Sequence, residues 1–136
     1  MSDELSKQVA LQFYESLNAG DTEALGSLLA ADFVDHVAGR EDSVGTEEFY
    51  TFLGMVTDTF PDVNVFVEDV FADGGKVAAR VSIRGTHEGT FLGAIKPTRK
   101  QAEWTGIDIL EVIDGRIAER WSQRDLMGLV NQLESE

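Results

Sequence analysis

The spacing of apolar residues changes once along this chain, at Pro61, and no other feature constrains the fold as much. Before Pro61 the apolar residues recur every three to four positions; after it they alternate. Leu5, Val9, Phe13 and Leu17, widened by Ala10 and Tyr14, form the inner stripe of an amphipathic helix over residues 4–18, because side chains three and four apart share one helical face. Gly20 ends that helix, and Asp21 caps a short second one in which Leu25, Leu28 and Leu29 face inward. Phe33-Val34-Asp35-His36-Val37 has no helical period and leads into a polar loop, Gly39 to Gly45. Thr46 is the expected cap of a third helix, with Phe49, Phe52, Leu53, Val56 and Phe60 on its inner face, and Pro61 stops it.

Beyond Pro61, Val63, Val65 and Val67 alternate with Asn64, Phe66 and Glu68, as strand side chains do when they point to opposite faces. Asp73-Gly74-Gly75-Lys76 reads as a hairpin turn, and a long strand follows to about His87. Residues 88–99 make a loop with an unusually apolar middle, which needs a surface to lie against. Strands are expected over Gln101–Val112 and Arg116–Arg124, joined at Asp114-Gly115, before a short helix bearing Leu126, Leu129, Val130 and Leu133. The predicted class is therefore α+β: three N-terminal helices packed on a curved, four-stranded antiparallel meander, then a short C-terminal helix. At 136 residues the chain suits a single domain, 1–136.

Charge and composition narrow the function. The first 74 residues hold 16 acids against Lys7 and Arg40, whereas the remainder is balanced, so the net charge of -14 lies entirely in the helical half. Such a surface repels phosphate backbones, which argues against nucleic acid as a partner. Cysteine is absent, which excludes disulfides and thiolate chemistry. The two histidines stand in no ligand spacing, so no metal and no cofactor are expected. The start of the chain lacks a basic and apolar leader, and no apolar run reaches the ~18 residues of a membrane span, so the expectation is a cytoplasmic protein with no membrane partner.

The last two strands carry an unusual mixture. Parity groups Ile117, Glu119, Trp121, Gln123 and Asp125 on one side of the final strand, and Trp104, Gly106, Asp108, Leu110 and Val112 on one side of the strand before it. Acids beside large apolar groups on a buried side suit a cavity wall, because a packed core would strand those carboxylates. The same residues also suit a solvent face, or acids paired with Arg80, Arg84, Arg120 or Arg124. A sheet face bearing arginine, serine and aliphatics would serve equally as a dimer surface.

Ordered short motifs carry a resemblance over nearly the whole chain: Phe33-Val34-Asp35-His36, Phe60-Pro61-Asp62, Gly85-Thr86-His87-Glu88-Gly89 with Phe91 and Gly93, Pro97-Thr98, Asp114-Gly115-Arg116-Ile117 with Glu119 and Trp121, then Asp125, Gly128-Leu129 and Gln132-Leu133. In these the chain resembles the SnoaL-like polyketide cyclases of the nuclear transport factor 2-like superfamily. The resemblance implies a cone-shaped α+β barrel that admits a small apolar or amphipathic ligand, and a homodimer. It also implies that Asp125 is the acid and base of an intramolecular aldol closure or isomerisation of a carbonyl compound, with imidazoles assisting. The chain departs from the family pattern at Arg120, where histidine is common, and in its proline loop, which lacks the usual double proline.

Asp125, His36 and His87 are the catalytic candidates: a carboxylate at an apolar mouth is a base, and an imidazole can polarise a carbonyl or relay a proton. Asp125 is also a natural cap for the last helix. Trp121, Trp104, Phe52, Phe91, Tyr50 and Met55 are candidates for the apolar wall of a ligand site, with Asp108 and Glu111 as its polar members. Arg120 and Arg124, with a serine between them, read as outward or interface residues. Two alternatives stay open beside the enzyme without a cofactor: a non-catalytic binding or dimerisation module, and an epoxide-opening enzyme drawing on Asp125, Asp108 and Arg80.

Overall fold

A computed structural model describes residues 2–37 and 41–135. The start of the expected polar loop, Gly39 and Arg40, lies outside the described residues. In chain order the elements are α1 (Asp3–Ala19), α2 (Thr22–Leu28), β1 (Leu29–Val37), α3 (Thr46–Thr59), β2 (Asn64–Asp73), β3 (Lys76–Thr86), β4 (Gln101–Ile113), β5 (Arg116–Arg124) and α4 (Leu126–Glu134). Ser2 caps α1 by accepting the Leu5 N–H at 3.1 Å, and Gly20, at φ 66, closes it in the left-handed conformation that glycine adopts freely. The cap of α3 is Gly45 and not Thr46, and the Glu48 carboxylate accepts the Gly45 N–H at 3.2 Å.

The four expected strands form, and a fifth joins them. The sheet runs β1-β5-β4-β3-β2, antiparallel except that β1 lies parallel to β5. This corrects the all-antiparallel meander to a mixed five-stranded sheet. The additional strand, β1, contains the segment Phe33-Val34-Asp35-His36-Val37. Its partner is more than 80 residues further on, as in Asp35↔Arg120, so no hairpin marks it. Both tight hairpins put positive φ at their two central residues, Gly74 (59°) with Gly75 (88°) and Asp114 (52°) with Gly115 (79°), the twist that two-residue turns between strands require.

A bulge in β5 overturns the parity argument. Glu111 stands opposite Glu119 while Val112 stands opposite Ile117, so Ala118 is an extra residue. One inserted residue turns every later side chain to the other face. Ile117 is buried, but beyond Ala118 it is Arg120 and Ser122 that are buried, while Glu119, Trp121 and Gln123 are not. Arg120 and Arg124 therefore do not face outward as expected.

The helices cover one face of the sheet, and the core of Phe13, Leu25, Phe49, Phe60, Val77, Val81, Leu110, Ile117 and Leu129 fills the space beneath them. The other face is open and exposes Phe66, Phe71, Ile107 and Ile113. Among the described residues, no helix is long and apolar enough to cross a membrane.

Candidate functional site

Beneath α1 the core turns polar. Tyr14 from α1, Asp35 from β1, Asp108 from β4 and Arg120 with Ser122 from β5 are all buried there. The Tyr14 hydroxyl donates to Asp108 Oδ2 at 2.6 Å. Arg120 Nη1 donates to both Asp35 oxygens at 3.0 and 3.2 Å, and its Nη2 donates to Ser122 Oγ at 3.2 Å and lies 3.8 Å from Asp108 Oδ2. Arg124 completes the set: Nη1 donates to Asp108 Oδ1 at 2.7 Å and Nη2 to Oδ2 at 3.2 Å. The order is carboxylate, guanidinium, carboxylate, guanidinium, so the charges balance.

Burial alone would raise the Asp108 carboxyl; Arg120, then Arg124, then the Tyr14 hydrogen bond outweigh it and hold it below the usual carboxylate range. For Tyr14, burial and then the Asp108 charge push the phenol well above its ordinary value, so it remains a hydrogen-bond donor. Arg120 is pulled down by burial and further up by Asp108 and Asp35, and stays charged. Two buried nitrogens lack a partner among the described residues: Arg120 Nε and His87 Nε2. An unpaired buried donor costs about 1–3 kcal/mol, and either one would be satisfied by a ligand oxygen.

The sequence candidates are placed apart. Asp125 is exposed and caps α4, with Oδ1 accepting the Gly128 N–H at 2.9 Å. It borders a surface groove of about 490 Å³ together with Arg80, Thr105, Gly106, Ile107, Gln123 and Arg124. His36 lies on the open sheet face, stacked on Trp121 at 5.3 Å with Nε2 2.6 Å from Glu119 Oε2. Glu111 is on that face too, opposite Lys76 and Glu119. His87 is fully buried at the end of β3. Its Nδ1 accepts the Thr98 N–H at 3.1 Å, which places the ring proton on Nε2.

His87 pairs with Lys100, eight residues along β4 from Asp108, so about 26 Å separates the two positions at ~3.3 Å per residue. Around it Phe60 meets Trp104 at 4.9 Å and Phe91 at 6.0 Å, and His87 itself at 5.8 Å. On α3, Phe52 is half-buried and Tyr50 donates to the Thr22 carbonyl at 3.3 Å. Met55 is 63% exposed. Among the described residues no three His, Asp or Glu side chains gather as a metal would need.

Only Asp108 of the candidates lies in the buried polar cluster. In the sequence Tyr14 belongs to the α1 stripe and Asp35 to a motif, and neither is marked as a site residue. The alternation Arg120-Ser122-Arg124 was the available signal for the rest, but it points inward only once the Ala118 bulge is known.

A helix-backed, mixed five-stranded sheet is the fold of the nuclear transport factor 2-like cyclases. Within that class, residues 8–133 match the model of the SnoaL-like polyketide cyclases, and the chain belongs to that family. IdmH of Streptomyces antibioticus, a presumed polyketide cyclase, is 31% identical over 96% of this chain and 99% of its own, with a TM-score of 0.89. TsrD of Streptomyces laurentii is 25% identical over 100% and 99% of the two chains, with a TM-score of 0.84. AclR of Streptomyces galilaeus, a presumed hydroxylase, shares the fold at 23% identity and a TM-score of 0.87, over 97% of this chain and 82% of its own. No match is found among curated proteins.

Proposed function

We propose that this chain catalyses proton transfer, without a cofactor, on a small apolar or amphipathic carbonyl compound, in the manner of a polyketide cyclase. The observation that carries the reading is the unpartnered Nε–H of buried Arg120 between two carboxylates, Asp35 and Asp108. An aldol closure or isomerisation needs a base for an α-proton and a donor for the oxygen on which negative charge develops. Asp108 supplies the first, and Arg120 Nε supplies the second. The family resemblance assigns the acid and base part to Asp125, which borders the surface groove; Asp108 is favoured instead because it is the carboxylate placed beside the unpartnered Arg120 side chain.

The test is exchange of α-protons for deuterium, followed by proton NMR, across a panel of apolar ketones and β-keto esters. Asp108→Asn is expected to reduce exchange by about 10²–10⁴-fold, and Asp125→Asn by far less. The reverse order would return the role to Asp125, and full exchange in both variants would end the catalytic reading.

The carboxylate–guanidinium–carboxylate order also supports a second reading, epoxide opening by a water held on Asp35 or Asp108 with Arg120 taking up the developing oxyanion. Diol formation from an apolar epoxide, without α-proton exchange, would favour it. The open sheet face supports a homodimer, as its residues across all five strands include an apolar row.

A further inference from the structure

Reaching Asp108 is a different matter from reacting with it. The carboxylate is 0% exposed, as is nearly true of Asp35 at 1%, and Tyr14, Arg120 and Ser122 are buried with them. Arg124 alone in the cluster reaches solvent, with 20% of its side chain exposed. Its guanidinium is bidentate on Asp108 on the helix-covered side of the sheet, the side opposite to Arg80, Ile107 and Gln123. A Cβ at Gly106 would come within 2.5 Å of Arg124 Nη1, 2.6 Å of the Gln123 carbonyl oxygen and 2.7 Å of Arg124 Cδ, so the arginine lies flat on the β4 backbone.

We propose that Arg124 is a displaceable plug: a ligand approaching its solvent-exposed edge lifts its guanidinium off Asp108, and a neutral ligand O–H or carbonyl-activated C–H takes the freed Asp108 oxygen. The proposal rests on the reading of Asp108 as the reacting carboxylate. Arg120 cannot play this part, since Asp35 and Ser122 hold it from both sides. Among the described residues Arg124 has only the Gln123 carbonyl as a further hydrogen-bond partner, at 3.0 Å.

The groups facing Asp108 are Tyr14 from α1 and Arg120 and Arg124 from β5, with Asp35 of β1 behind Arg120; β3 presents Ala79. Removing Arg124 from that set leaves burial less opposed, so ligand entry strengthens Asp108 as a base. The ligand class follows from the same balance. The cluster is neutral with Arg124 in place, and the freed site is an acceptor beside net negative charge, which admits a neutral donor and repels an anion.

Carbodiimide-driven amine labelling of the full chain, located by mass spectrometry, reads the plug without any substrate. In the wild type Asp108 is expected to label faster than Asp35, although both are buried. In Arg124→Ala, Asp108 labelling rises about tenfold, as expected for removal of a local barrier, with Asp35 unchanged. Equal protection of the two carboxylates in the wild type, no rise in the variant, or a parallel rise of both would overturn the proposal. If Arg124→Ala does not fold, the wild-type comparison decides, with Arg124→Lys expected to give a smaller rise. Labelling requires no turnover, so a plug that opens on an inactive site is told apart from a failed plug on an active one.

Discussion

Tyr14 and Asp108 titrate in opposite directions from a shared hydrogen bond, and stability follows from both. Asp108 is held lower when folded than when unfolded. Its contribution is therefore complete above the ordinary carboxylate value, near 3.9, and is lost as pH falls through the folded value below it. Tyr14 is raised, so its contribution is complete below the ordinary phenol value, near 10, and is lost as pH rises beyond it. Urea midpoints measured across pH are expected to show a plateau with a fall at each end. Tyr14→Phe should remove the tyrosine part of the alkaline fall and lower the plateau by about 1–3 kcal/mol, the cost of a buried acceptor deprived of a donor. An unchanged alkaline limb in that variant would count against the raised phenol. At this scale the sequence was legible where side chains follow simple parity, as in Asp108. It was illegible at Arg120 and Arg124, because a bulge is a backbone event that Ala118 does not announce.

Among the elements, α3 is the least secured. Phe49 is its one fully buried side chain, stacked 6.1 Å from Phe13 and edge-on at 5.4 Å to Phe33. The helix was readable from Phe49, Phe52, Leu53, Val56 and Phe60, yet that pattern does not say how tightly the stripe is seated, and Phe52, Leu53 and Val56 are only half-buried. By contrast α1 buries Ser6, Ala10, Phe13, Tyr14 and Ser16. Elements with few buried contacts open at lower free energy. In hydrogen exchange followed by mass spectrometry, α3 is expected to exchange well before α1, and Phe49→Ala, which costs about 3–5 kcal/mol for a buried aromatic, to bring α3 to near-immediate exchange. Equal protection of the two helices would show that α3 is held by more than Phe49. β1 teaches the complementary lesson: Phe33 and Val34 gave an apolar segment without a period, and its parallel partner lies too far along the chain for any local turn to reveal it.

For the molecule as a whole, the open sheet face presents an apolar surface that spans the strands. Register aligns Phe71, Ala78, Ile109, Trp121 and His36 in one row across β2, β3, β4, β5 and β1. The next row holds Asp73, Lys76, Glu111 and Glu119, mixed in sign. Five strands about 4.8 Å apart and about nine residues long present roughly 24 by 30 Å, close to the ~800 Å² per partner of a stable interface. A two-fold axis through the row would set apolar side chains against one another, which is the arrangement of a self-complementary interface. Sedimentation at micromolar concentration is therefore expected to give twice the chain mass. Phe71 is 67% exposed in the single chain, so Phe71→Asp should leave the melting temperature of the monomer unchanged while weakening association about 10–100-fold, the effect of losing a buried aromatic anchor. A wild type that sediments as a monomer, or a Phe71→Asp variant that dimerises as well as the wild type, would show that this face meets water or some other partner.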